Sequence, residues 1–171
     1  MHRPTRNVTH VESELYPQRE FKHKEVDGLA ICQQCHAIHD DKHWRFDDAR
    51  ASTLLEQAET HRVTCPGCLA VRHRRADGIL SLRGKGALRR ADEILNLLHA
   101  EAHREMRKNP LGRIIGVETT PDGLEVATTT RFLAQDLGRR LHHAMGGDLT
   151  TSRLPRAPFV RVTWYSAPAD E

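Results

Sequence analysis

The sequence predicts an α+β protein, on three observations. Two CxxC pairs flank a helical pattern, a long amphipathic stripe follows, and after it strand, strand, helix and strand signals succeed one another. At 171 residues the chain has room for one ordinary domain or two very small ones. Apolar residues make up 38% and aromatics 5%. The expected core is therefore thin, and apolar burial alone is a weak source of stability for it. The expected organisation is an extended N-terminal arm over 1–27, a cysteine-bearing domain over 28–85, a connecting helix over 86–110 and a small α+β domain over 111–171.

Each element has its own signal. Residues 1–27 show no period, are interrupted by Pro4 and Pro17, and read as an arm ordered only where it docks. Gly28-Leu29-Ala30-Ile31 is a short apolar strand entering Cys32. Ala51, Leu54, Leu55 and Ala58 recur at helical spacing, with Asp47 or Asp48 as N-cap. Residues 63–71, around Cys65-Pro66-Gly67-Cys68, read as strand, tight turn and strand. Ala87, Leu88, Ala91, Ile94, Leu95, Leu98, Ala102 and Met106 form one stripe, so a helix is predicted over 86–108, closed by Pro110. Ile114 to Thr119 and Leu124 to Thr130 read as a hairpin turned by Pro121-Asp122-Gly123. Leu133, Leu137, Leu141 and Met145 place a helix over 131–145, ended by Gly146-Gly147. The last strand is Phe159 to Trp164, with Val160, Val162 and Trp164 on one face. The second part is thus a long helix followed by ββαβ.

The sharpest chemistry lies in the cysteines. Two residues between thiolates let both sulfurs reach one ion from a tight turn, and two such knuckles supply four tetrahedral ligands. Cys32, Cys35, Cys65 and Cys68 are all the cysteines of the chain. They predict one structural Zn2+ and, with the inserted helix, a zinc ribbon. A redox dithiol would need a CxxC opening a helix in a βαβ setting, which the pattern lacks. Four thiolates leave no open position on the metal, so the site is expected to stabilise rather than catalyse. Twelve histidines accompany them. His36 is the one placed to replace a cysteine as ligand. The pairs His39/His43 and His99/His103 share helical faces but lack a carboxylate framework.

Charge is concentrated. Residues 69–113 hold eleven basic and five acidic side chains, a net of +6, in a chain whose total is +3. The basic residues are 21 Arg and 5 Lys, and arginine suits bidentate phosphate contact. Arg72, Arg74, Arg75, Arg83, Lys85, Arg89 and Arg90 are the expected polyanion surface, with Gly84 and Gly86 admitting phosphate near a helix start. Arg139 and Arg140 are expected to contact RNA or protein from the second part. The Gly-x4-Gly-Lys-Ser/Thr spacing is missing, so no nucleotide is expected. RNA is favoured over DNA because no helix is arranged for a major groove. Only Trp44, Phe46 and Trp164 are candidates for base stacking, which points to backbone and shape recognition.

Other classes are excluded by pattern. No stretch approaches the roughly 20 apolar residues of a membrane span. Met1 to Arg6 lead into no apolar signal region, so a cytoplasmic chain with reduced or metal-bound thiols is expected.

A wider pattern joins these motifs. Two CxxC knuckles and a helix precede Gly112-Arg113-Ile114-Ile115-Gly116-Val117-Glu118. A turn then leads to Thr128-Thr129-Thr130-Arg131-Phe132-Leu133-Ala134-Gln135-Asp136-Leu137-Gly138-Arg139-Arg140-Leu141, and Gly146-Gly147-Asp148-Leu149 and Ser152-Arg153 follow. From about residue 28 to about 156 this resembles the amino-terminal region of the nonsense-mediated-decay-three family, adaptors of the large ribosomal subunit with archaeal relatives. That region has four CxxC motifs and more than one zinc; this chain has two motifs and closes one site. The resemblance implies a short, prokaryotic-type relative that binds ribosomal RNA or a ribosomal subunit, with Cys32, Cys35, Cys65 and Cys68 as metal ligands.

The expected function is therefore a non-catalytic, zinc-binding, RNA- or ribosome-associated factor. Two alternatives differ in class. One is a protein-interaction adaptor in which the long helix docks a protein partner. The other is a zinc-stapled His-metal nuclease using His36, His39 or His43 with Asp40 and Asp41.

Overall fold

The computed structural model describes residues 26–153 and 159–167. Apart from residues 26 and 27, the expected N-terminal arm lies outside the described residues. The described chain is α+β, with two sheets and five helices.

The first sheet is small. Strands β1 (Ala30–Cys32), β2 (Ile38–Asp40), β3 (His43–Arg45) and β4 (Arg62–Val63) lie in the order β3-β2-β1-β4. β1 and β2 form a hairpin, and β4 returns parallel to β1 with Cys32 beside Val63. Helix α1 (Asp48–Glu56) covers one side, burying Ala51 and Leu54 against Ile31 and Ile38. Asp47 caps it as expected, its side chain accepting from the Arg50 N–H at 3.0 Å. The helix stops at Glu56, so Ala58 falls beyond it and is exposed.

The segment around the second cysteine pair differs from expectation. Residues 66–72 are helix α2 (Pro66–Arg72), not a turn and strand. Two local features explain this. Pro66 stands at the first helical position, where its fixed φ suits a helix and its missing N–H is no loss. Cys65 is the N-cap, its sulfur accepting from the Cys68 N–H at 3.4 Å.

The strands of the second sheet are β5 (Gly78–Arg83), β6 (Ile114–Thr120), β7 (Gly123–Thr128), β8 (Asp148–Arg153) and β9 (Val160–Tyr165). They lie in the order β6-β7-β5-β9-β8. The hairpin β6-β7 and the last strand match the expected elements. Two strands were not expected. β5 is central, antiparallel to β7 and parallel to β9, and it comes from 78–83, within the segment read as cysteine-bearing. It is buried along nearly its whole length, on both faces. β8 is a polar edge strand with little apolar signal.

Helices α3 (Lys85–Arg89), α4 (Ala91–Lys108) and α5 (Arg131–Met145) complete the fold. The helix expected over 86–108 is thus broken at Arg90, whose φ of −108° and ψ of 25° depart from helical values. The break turns Leu88 out of the stripe; it is 44% exposed. α4 and α5 pack on one face of the sheet, where Ile94, Leu98, Leu133, Leu137 and Leu141 meet Leu80, Leu82, Val126, Val162 and Trp164. Gly123 has φ 153°, and a Cβ there would lie 1.8 Å from the Leu82 carbonyl oxygen, so the hairpin closes against β5 only with glycine.

Candidate metal centre

The strand pairing that builds the first sheet also gathers the thiols. β1 delivers Cys32, and the parallel neighbour β4 leads two residues later to Cys65. The first knuckle is closed by the His36 N–H donating to the Cys32 carbonyl at 2.9 Å and the Cys32 N–H donating to the Ala37 carbonyl at 2.8 Å. His36 takes φ 62° to complete that turn. In the second knuckle the start of α2 holds Cys65 and Cys68 together. The Cys65 N–H donates to Cys32 Sγ at 3.3 Å, so each knuckle is tied to the other.

The four sulfurs lie within 4.8 Å of one another. Cys32 Sγ is 3.9 Å from Cys68 Sγ, and Cys35 Sγ is 3.6 Å from Cys65 Sγ. For a metal–sulfur bond of about 2.3 Å, a regular tetrahedron has an edge of about 3.8 Å. The donor set fits one four-coordinate metal ion. Cys32 and Cys65 are buried and Cys35 and Cys68 half-buried, so the site is closed on one side.

The ionisation of each thiol in this cluster depends on the other three. Hydrogen bonds from Cys35, Cys65 and Cys68 hold the Cys32 thiol well below its ordinary range. Cys35 is lowered to about 6: its contact with Cys32 pushes it up, and those with Cys65 and Cys68 outweigh that. Cys65 and Cys68 are pushed up, first by Cys32 and then by Cys35. Four thiolates cannot share so small a volume without a cation to neutralise them. Among the described residues this is the one group of His, Cys, Asp or Glu side chains gathered closely enough to hold a metal.

A cleft of about 320 Å³ adjoins the first knuckle, between α1 and the end of α4. Cys35, His36, Phe46, Arg107 and Arg113 help line it. Arg107 lies over the Phe46 ring at 5.2 Å and pairs with Asp48 at 3.2 Å, joining α4 to α1. Arg113 donates from Nε to the Pro110 carbonyl at 2.8 Å, while its buried Nη2 has no partner.

The histidines of the alternative readings join no metal group, although His36 sits in the first knuckle beside Cys35. His39 is buried and its Nδ1 is 2.8 Å from the Gly28 carbonyl, with its ring against Trp44. Asp40 accepts from Arg45 at 3.0 Å and from Arg50 at 2.6 Å. His36, His39, His43, Asp40 and Asp41 form no metal-capable group.

The expected basic residues fall into separate places. Arg72 is exposed at the end of α2; Arg74 pairs with Glu118 at 2.8 Å and Arg75 lies 3.9 Å from Asp77. Arg83 ends β5, and Lys85, Arg89 and Arg90 lie beyond it, about 17 Å from the start of the six-residue strand. Arg83 is half-buried and bonded to Glu125 and Thr120; Arg90 pairs with Glu93; Lys85 and Arg89 are exposed. Arg139 pairs with Asp136, and Arg140 lies 3.7 Å from Glu101. Gly84 and Gly86 are explained by packing: a Cβ at either would come within 3 Å of the Ser166 side chain. Trp164, read as a stacking candidate, is 2% exposed and donates to the Gly146 carbonyl at 2.8 Å.

Compared with protein-family models and with curated proteins, the chain matches none. No helix among the described residues is long and apolar enough to cross a membrane.

Proposed function

We propose that the chain is a non-catalytic zinc protein that docks on RNA, with ribosomal RNA or the large ribosomal subunit as its target in the cytoplasm. The four-thiolate cluster takes Zn2+ and makes the first sheet a zinc ribbon with an inserted helix; helices α3, α4 and α5 and the five-stranded sheet form the second part. One observation carries the reading. Helix α2 begins on Cys65 and ends at Arg72, so the metal knuckle is the foundation of the segment Arg72-His73-Arg74-Arg75. A metal-fixed helix end carrying guanidinium groups is suited to rigid phosphate contact. The resemblance of the cysteine and hairpin-helix pattern to the nonsense-mediated-decay-three family points the same way.

Docking of this kind is electrostatic, so log affinity falls with log salt in proportion to the phosphates contacted. Sucrose-gradient sedimentation of lysate at low and high salt tests it. The protein is expected in large-subunit fractions at low salt and free of them at high salt. Its absence from every ribonucleoprotein fraction at both salts defeats the reading.

A further inference from the structure

Beyond the end of β5 the surface sinks into a concavity of about 570 Å³. Its apolar wall is Leu88, Pro121 and Tyr165; its polar groups are Arg83, Lys85 and Asp122. Leu88 is 44% and Tyr165 49% exposed. Single exposed apolar side chains are ordinary. Here two of them share one hollow with two cations and a carboxylate, which is the composition of a small-ligand site.

The hollow is held in place by the sheet. In the β5–β9 pairing Tyr165 lies beside Arg83, on the face turned away from α4 and α5. Arg83 is fixed by Glu125 at 2.8 Å and Thr120 at 2.9 Å. Past the strand, the Ser166 N–H donates to the Arg83 carbonyl at 3.0 Å, which anchors the backbone next to Tyr165. Gly84, at φ 94°, lets the chain turn past Ser166 into α3.

These groups select their ligand by chemistry. An exposed aromatic ring beside a leucine offers a stacking surface for a flat ring. Lys85, exposed and without an ion pair among the described residues, offers a charge for phosphate. Asp122, exposed in the hairpin turn, repels phosphate and accepts from an amine. A bare polyanion does not satisfy all three.

We propose that this concavity takes one unpaired RNA nucleotide whose base carries an exocyclic amine. The base stacks on Tyr165, its amine donates to Asp122, and its phosphate pairs with Lys85. The proposal rests on the RNA reading above and adds a grip on a single-stranded element to it.

Fluorescence anisotropy of the zinc-loaded full chain tests this with three labelled probes: short oligo(C), short oligo(U) and an RNA hairpin with a fully paired stem. Cytosine and uracil differ at the amine. Oligo(C) is expected to bind more tightly than oligo(U). Tyr165→Ala should weaken oligo(C) by about fivefold or more, as loss of a stacked base does, and Tyr165→Phe should restore it. Asp122→Asn should remove the preference for C over U. Oligo(C) affinity unchanged in Tyr165→Ala overturns the pocket, and hairpin binding that persists then leaves the wider RNA reading standing. Absence of binding to all three probes overturns both.

Discussion

Single atoms decide whether the metal knuckle and the rest of the chain fit together. Gly67 is buried, and a Cβ there would lie 2.8 Å from the Pro110 carbonyl oxygen and 3.0 Å from Leu111 Cα. Both neighbours are backbone, so neither yields cheaply. Gly67→Ala is expected to destabilise the protein by about 1–3 kcal/mol, read as a lowered denaturation midpoint, without loss of bound metal. Asp40 is a different case. Arg50, then Arg45, hold its carboxyl below the usual range, so whatever stability the contact provides is present above about pH 4 and lost as pH falls through the lowered value. The melting temperature of Asp40→Asn should therefore lie below that of the parent at neutral pH, and the gap should close on acidification. A gap that persists at acid pH would assign the effect to packing. The residue scale was only partly legible. CxxC spacing is a covalent constraint and named the four cysteines outright. Tyr165 and Asp122 meet in one hollow through the pairing of β5 with β7 and β9, which no local pattern records.

Elements were legible where one face meets water. α5 came out with the expected bounds because Leu133, Leu137 and Leu141 recur on one side and Thr130 caps it, accepting from the Leu133 N–H at 3.2 Å. The hairpin of β6 and β7 was visible from its turn. β5 was not, although Leu80, Ser81, Leu82 and Arg83 alternate, because no turn signal sets it off from the second knuckle and its partners β7 and β9 lie far along the chain. Ser81, Arg83, Glu125 and Arg161 form a polar network on the face turned from the helices, with Glu125 accepting from both arginines at 2.8 Å. α2 was misread because Pro-Gly suggests a turn, whereas proline at the first helical position starts a helix. At this scale α4 is the test. Leu98 is fully buried between the sheet and α5, and Leu98→Ala should cost about 2–5 kcal/mol. The loss should appear in thermal unfolding of the whole domain, while metal content stays unchanged. Asp47→Ala removes one cap and should cost about 1 kcal/mol, measured the same way.

For the whole molecule, the two sheets are unequal in what holds them. The second has two helices and a continuous apolar core. The first has a cluster of only Ile31, Ile38, Ala51 and Leu54, with Leu55 beside it. Burial of so few side chains is a weak source of order for the stretch from 26 to 63. A metal on four thiolates contributes on the order of 10 kcal/mol. Chelation should therefore melt the first sheet and leave the second folded. Hydrogen exchange should show protection lost at Ile31, Ile38 and Val63 and kept at Leu80, Val126 and Val162. Simultaneous loss in both sheets would mean that contacts such as Arg107 with Asp48 and Gly67 with Pro110 couple them into one cooperative unit.

Everything turns on the cysteines acting as one metal centre. Elemental analysis of the protein purified without chelator or added metal tests this most directly, with a Cys32→Ser/Cys65→Ser variant in parallel. One equivalent of zinc per chain, absent from the variant, is the predicted result; a metal-free parent that remains folded would contradict it.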